Sequence, residues 1–86
     1  MPQISRFFGI IIYMYFDDHN PPHFHAEYEG SEAVILIQSL TVHKGSLPSR
    51  ILGFVIEWAS QHQEELMENW AAAQGDGQLK KIEPLK

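Results

Sequence analysis

A chain of 86 residues with a net charge of −5, no cysteine and 44% hydrophobic residues predicts one acidic domain, residues 1–86, with its own core. Disulfides and thiolate zinc sites are excluded, which suits a reducing cytoplasm, and the acidic balance disfavours nucleic acids, which usually contact a basic surface. The longest apolar run, residues 7–16, falls well short of the ~20 residues of a membrane-spanning helix, so we expect a cytoplasmic protein with no membrane segment.

The first part of the chain, residues 1–46, predicts an antiparallel sheet of three or four strands. Its first apolar stretch has hydrophobic side chains on both faces, which indicates a central strand, and Gly9 within it indicates a bulge. The next stretch alternates between apolar and polar side chains, as in a strand buried on one face only. The third follows a turn at Gly30 and is almost continuously apolar. The predicted strands are residues 4–16, 23–28 and 33–38, with a short fourth strand at residues 41–44.

The second part, residues 47–74, predicts one long helix that packs on one face of the sheet. Pro48 fits its first turn, and apolar side chains recur after it at the spacing of an amphipathic helix. A helix of this length is long for so small a domain, so we expect it to kink near residues 60–63 or to project. Residues 75–86 are expected to form a tail or an edge strand. The predicted fold class is therefore α+β, with strands in β-β-β order before the helix.

The chemically reactive side chains are concentrated between the first two predicted strands, at Asp17-Asp18-His19-Asn20-Pro21-Pro22-His23-Phe24-His25. The two prolines stiffen this loop. His23 and His25 are two residues apart in a strand, so both rings project from one face of the sheet, and His19 approaches from the loop. We therefore predict that this loop and the polar face of the next strand form the working surface.

Three functions are open at this point, and the first involves no chemistry. The loop would be a structural turn, and the aromatic side chains around it would form a contact surface for a protein partner or a homodimer.

The second is a divalent-metal site, with hydrolysis as its extension. Imidazole and carboxylate groups suit zinc, nickel, copper or manganese. The candidate ligands are Asp18, His19, His23, His25 and Glu27.

The third is a metal-independent ribonuclease. Histidines titrate near neutral pH, so His19, His23 or His25 would act as general acid and base. Arg6 or Lys44 would then neutralise the charge that develops on the phosphorus, although the acidic composition disfavours an RNA substrate.

Several segments together resemble a family of short bacterial proteins catalogued only as a domain of unknown function. They are residues 4–10 (ISRFFGI), 14–16 (MYF), 18–26 (DHNPPHFHA) and 81–85 (KIEPL). Members of that family are often encoded beside another small protein, so the resemblance implies a partner in a toxin–antitoxin-like or regulatory gene pair. It implies no catalytic residues. We therefore rank the interaction role first, the metal site second and the ribonuclease third.

Overall fold

Five antiparallel strands and two helices form an α+β fold in the computed structural model, which describes residues 2–75 and 77–86. The strands lie side by side in chain order, so each pairs with the next one along the sequence. The elements are β1 (Gln3–Phe7), β2 (Ile10–Tyr13), β3 (His23–Tyr28), β4 (Ser31–Leu36), β5 (Val42–Gly45), α1 (Ser49–Gln61) and α2 (Gln63–Gln74).

The prediction of a single first strand over residues 4–16 is wrong, because this stretch folds into a hairpin. Phe8 and Gly9 have φ angles of 52° and 79°, and positive values at both central positions are typical of a two-residue hairpin turn. Phe7 pairs with Ile10 across this turn. The sheet therefore has five strands rather than three or four.

The prediction of one long helix over residues 47–74 is also wrong in detail, because the helix is interrupted at His62. The break falls inside the interval where a kink was expected. A straight helix over the whole interval would measure about 40 Å at ~1.5 Å per residue. The longest dimension of the molecule is 35 Å, so the second half must change direction to stay on the sheet.

One face of the sheet packs against the helices and forms the core. Trp58 of α1 lies at its centre, with its ring 5.5 Å from that of Phe7 and 5.9 Å from that of Phe24. Within the described tail, residues 77–86, the amide of Ile82 donates to the carbonyl of Ile4 over 2.8 Å. Other core side chains are Ile10, Ile12, Met14, Ala26, Ile35, Ile37, Val55 and Leu66.

The opposite face of the sheet carries the polar side chains. Residues paired directly across neighbouring strands point to the same face, so Tyr13, His25, Val34 and Lys44 form one row across β2 to β5.

In the described parts of the chain, no helix has the length and apolar character needed to cross a membrane.

Candidate metal centre

The loop of residues 17–22 is fastened to the rest of the fold at both ends. The amide of Asp17 donates to a carbonyl in the last turn of α2 over 3.0 Å, and the Gln74 side chain donates to the Asp18 carbonyl over 3.1 Å. At the other end, the amide that follows β4 donates to the Pro22 carbonyl over 3.1 Å. These bonds hold the Asp18 side chain over the first residues of β3.

Asp18, His23 and His25 form a compact group, here called the His–Asp cluster. One potential ligand atom from each residue lies within 4.8 Å of the others. The Nε2 atom of His23 is 2.8 Å from Asp18 Oδ2, and the Nε2 atom of His25 is 3.4 Å from the same oxygen. Both histidines are only 8% exposed, because the loop covers this end of β3. Two imidazole nitrogens therefore converge on a single carboxylate oxygen.

The other nitrogen of each ring is also engaged. His23 Nδ1 is 2.7 Å from the carbonyl oxygen of Pro21, and since a carbonyl only accepts, this nitrogen carries a hydrogen. His25 Nδ1 is 2.9 Å from Glu32 Oε2 and donates to that carboxylate. Both rings are thus oriented by a hydrogen bond at Nδ1 and present Nε2 to Asp18.

The two carboxylates of this arrangement are ionised at neutral pH. Burial alone would raise the pKa of Asp18, but hydrogen bonds from the His19 amide and from the rings of His25 and His23 lower it below its usual range. The hydrogen bond from His25 lowers the pKa of Glu32 against the opposing effect of burial. Each Nε2 atom therefore faces a charged carboxylate oxygen, and a cation between them, either a proton or a metal ion, would stabilise this geometry.

Aromatic side chains pack around the two imidazoles. Tyr13 stacks on His25 with ring centroids 5.0 Å apart, and Tyr15 meets the same ring edge-on at 4.8 Å. Trp70 of α2 lies 5.1 Å from His23. Burial, and then the neighbouring Glu32 carboxylate, raise the pKa of Tyr13, so its phenol stays neutral. These contacts restrict the rotation of both histidine rings.

The His–Asp cluster opens into a cavity of about 310 Å³. His19 and Asn20 of the loop line one side, and His43 and Lys44 of β5 line another. A larger apolar groove of about 660 Å³ lies elsewhere, beside Phe8, but its walls hold no histidine or carboxylate among the described residues. The histidines and carboxylates therefore lie away from this larger groove, and we take the smaller cavity as the candidate site.

The structure brings together three of the predicted ligands, those of the His–Asp cluster. In the described parts of the chain, His19 and Glu27 do not join this compact group. His19 instead lines the cavity and donates its amide to Asp18, while Glu27 pairs across the sheet with Glu32. Arg6 is exposed on β1 and is not among the described residues that line the cavity.

Sequence reasoning missed two parts of this site. Glu32 was not singled out, although it holds His25 in place. His43 was not singled out either, yet it lines the cavity with Lys44. Both lie on strands beyond β3, and only the pairing of β3 with β4 and of β4 with β5 brings them near the loop.

The family model described as "Domain of unknown function (DUF4160)" matches residues 9–71 and so includes the whole His–Asp cluster. This match confirms the expected membership of a family catalogued as a domain of unknown function. No curated protein and no solved structure matches the chain.

Proposed function

We propose a function from the site itself, because the chain belongs to the DUF4160 family, a domain of unknown function whose description names no activity. The protein binds a divalent metal ion through Nε2 of His23, Nε2 of His25 and a carboxylate oxygen of Asp18. The observation that carries this proposal is the convergence of both Nε2 atoms on one carboxylate oxygen while both Nδ1 atoms are held by acceptors.

The hydrogen bonds at Nδ1 support a metal at Nε2. A histidine that binds a metal through one nitrogen usually donates the other N–H to a carboxylate or a backbone carbonyl, which orients the ring and strengthens it as a ligand. His25 donates to the Glu32 carboxylate, and His23 donates to the Pro21 carbonyl. The two partners are thus of the two kinds that metal-bound histidines use.

Protons on the two rings are the alternative source of positive charge. Two imidazolium rings would lie 5.3 Å apart in residues that are each 8% exposed, and both would have to be removed from water together with the carboxylate of Asp18. Desolvating several charges is costly, and like charges at this distance repel. A divalent ion neutralises Asp18 while both rings remain neutral.

Two histidines and one carboxylate are a donor set that leaves coordination positions open. Hydrolytic zinc sites use three protein ligands of this kind and keep the remaining position for water. A metal ion there lowers the pKa of its bound water and supplies a nucleophile at neutral pH. We therefore favour zinc among the four metals considered, with nickel, copper and manganese as further candidates, and hydrolysis as the reaction type.

A thermal melt tests the proposal directly. Chelator-treated protein is melted alone and with zinc, nickel, copper or manganese. At a free concentration of 100 Kd, an ion that binds only the native state adds ~2.7 kcal/mol to the free energy of unfolding. For a domain of this size, that corresponds to a rise in Tm of roughly 10–20 °C. The rise should be absent in His25→Ala.

A second variant guards against a loss of folding in His25→Ala. Asp18→Asn keeps the size of a side chain that is 21% exposed and removes its charge, so the domain should fold and lose most of the metal-dependent rise. His62→Ala removes a histidine outside the cluster and should keep the rise. No rise with any ion, or an equal rise in Asp18→Asn, would refute the proposal.

The interaction role remains a prediction beside the metal site. Phe8 and Phe16 are 52% and 50% exposed, and such aromatic side chains are enriched in protein interfaces. They would suit a protein partner, as in a toxin–antitoxin-like pair, or a second copy of the chain. The molar mass in solution, measured by light scattering for the wild type and for Phe8→Ser, tests self-association.

A further inference from the structure

We propose that the cavity beside the His–Asp cluster binds a small phosphate ester, with the Lys44 ammonium group as the counter-charge to its phosphoryl oxygens. This inference rests on the proposed metal site, because the metal ion would bind one oxygen of the same group. Lys44 lies in the wall of that cavity.

Strand pairing explains how Lys44 reaches the site. Lys44 pairs with Val34, and Val34 pairs with His25, so the three side chains lie in a row on one face of the sheet. The backbones of β3 and β5 are two strand spacings apart, or about 10 Å. Val34 and Lys44 both line the cavity, and the small side chain of Val34 leaves space between Lys44 and His25. The metal and the ammonium group would therefore face a bound ligand from two sides.

Once a divalent ion is bound at the His–Asp cluster, the charges in the cavity wall favour an anion. Of the described residues in its wall, Asp18 is the only carboxylate, and its charge is taken up by the cluster. His19, Asn20 and His43 add hydrogen-bonding side chains to the wall. None of the ion pairs found in the described parts of the chain involves Lys44, so its charge is available to a ligand. The chain as a whole carries a net charge of −5, so a lysine in the wall of this cavity indicates an anionic ligand.

A phosphoryl group fits this arrangement because its oxygens point in several directions. One oxygen can bind the metal ion while another accepts a charge-assisted hydrogen bond from Lys44. The cavity of about 310 Å³ is at the small end of ligand-binding pockets, which suits a single phosphate with a short organic group. Tyr15 in the wall offers an aromatic surface to that organic part. A long nucleic acid is disfavoured by the net charge of −5.

Calorimetric titration of the zinc-loaded protein with inorganic phosphate and with phenyl phosphate tests the inference. We expect saturable binding of both, weakened about tenfold to hundredfold in Lys44→Met, as for the loss of a hydrogen bond to a charged group. Lys44→Gln provides a second, polar replacement. Arg50→Met removes an equal charge beside the larger groove and should bind phosphate like the wild type.

Zinc affinity, measured separately for each variant, distinguishes the possible failures. If zinc binds and phosphate does not, or if phosphate binds equally well to Lys44→Met, this inference is overturned and the metal site stands. If acetate binds as tightly as phosphate, the assignment of a phosphoryl ligand is overturned. If zinc itself does not bind to the wild type, the proposed function fails first and the inference fails with it.

Discussion

Replacing Glu32 by glutamine should weaken metal binding without unfolding the domain. The carboxylate of Glu32 accepts the Nδ1 hydrogen of His25 over 2.9 Å and is not part of the His–Asp cluster itself. Glutamine has the same length and can still accept this hydrogen bond, but it lacks the negative charge. The variant therefore isolates the electrostatic support that Glu32 gives to His25.

The expected loss is a factor of about 10 to 100 in metal affinity, which is typical when the outer partner of a metal-bound histidine is changed. At ~1.4 kcal/mol per factor of ten, this corresponds to about 1.4–2.8 kcal/mol of binding free energy. The stability of the metal-free protein should change much less. The Glu32 side chain is 44% exposed, and ion pairs that water screens to this extent contribute little.

A zinc titration in competition with a coloured chelator gives the dissociation constant of each variant. Glu27→Gln is the matched control, because Glu27 pairs with Glu32 across the sheet and carries the same charge. An unchanged affinity in Glu32→Gln would refute the role assigned to this hydrogen bond. An equal loss in Glu27→Gln would attribute the effect to overall charge rather than to His25.

Three further predictions concern stability, measured by urea denaturation. Ile82→Ala should lower the free energy of unfolding by about 2–5 kcal/mol, because it leaves a cavity at a buried position. Glu83→Ala, the neighbouring control, should change it by less than ~0.5 kcal/mol. Gly45→Ala should lower the free energy of unfolding more than Gly30→Ala does. Both glycines have positive φ, but only at Gly45 would the new methyl group overlap a backbone oxygen of β4. Equal losses of stability in the two variants would contradict this prediction. Trp58→Phe should lose about 1–3 kcal/mol, because the 2.7 Å hydrogen bond to the Glu83 carbonyl disappears; a loss near zero would refute it.

The parts of the fold that were predicted correctly follow from local patterns. Alternation in residues 23–28 placed both histidines on the same face, and β3 has those bounds. The hairpin at Phe8 was missed because its turn lacks the usual Asn-Gly or Asp-Gly signal. An aromatic residue in the left-handed region is uncommon, and the apolar run continues through the turn without a polar interruption.

In the candidate site, too, the residues that are close in sequence could be predicted, and those that come together only through strand pairing could not. Asp18, His23 and His25 could be proposed together because they lie within eight residues of sequence. Glu32 and Lys44 join them only through the register of β3, β4 and β5, and a shift of one residue would turn their side chains to the other face. No local pattern in the sequence determines that register.

The attachment of the histidine loop to α2 has a consequence for the order of folding. Gln74 lies 56 residues beyond Asp18, the partner to which it donates, so the loop is positioned by one of the longest-range contacts in the chain. Contacts of this kind form only after a large loop has closed. A nascent chain emerging from the ribosome would contain all three residues of the His–Asp cluster long before α2 exists to align them. Binding of the proposed metal ion would therefore follow synthesis and docking of α2, and protection of the Asp17 amide from hydrogen exchange would mark this step.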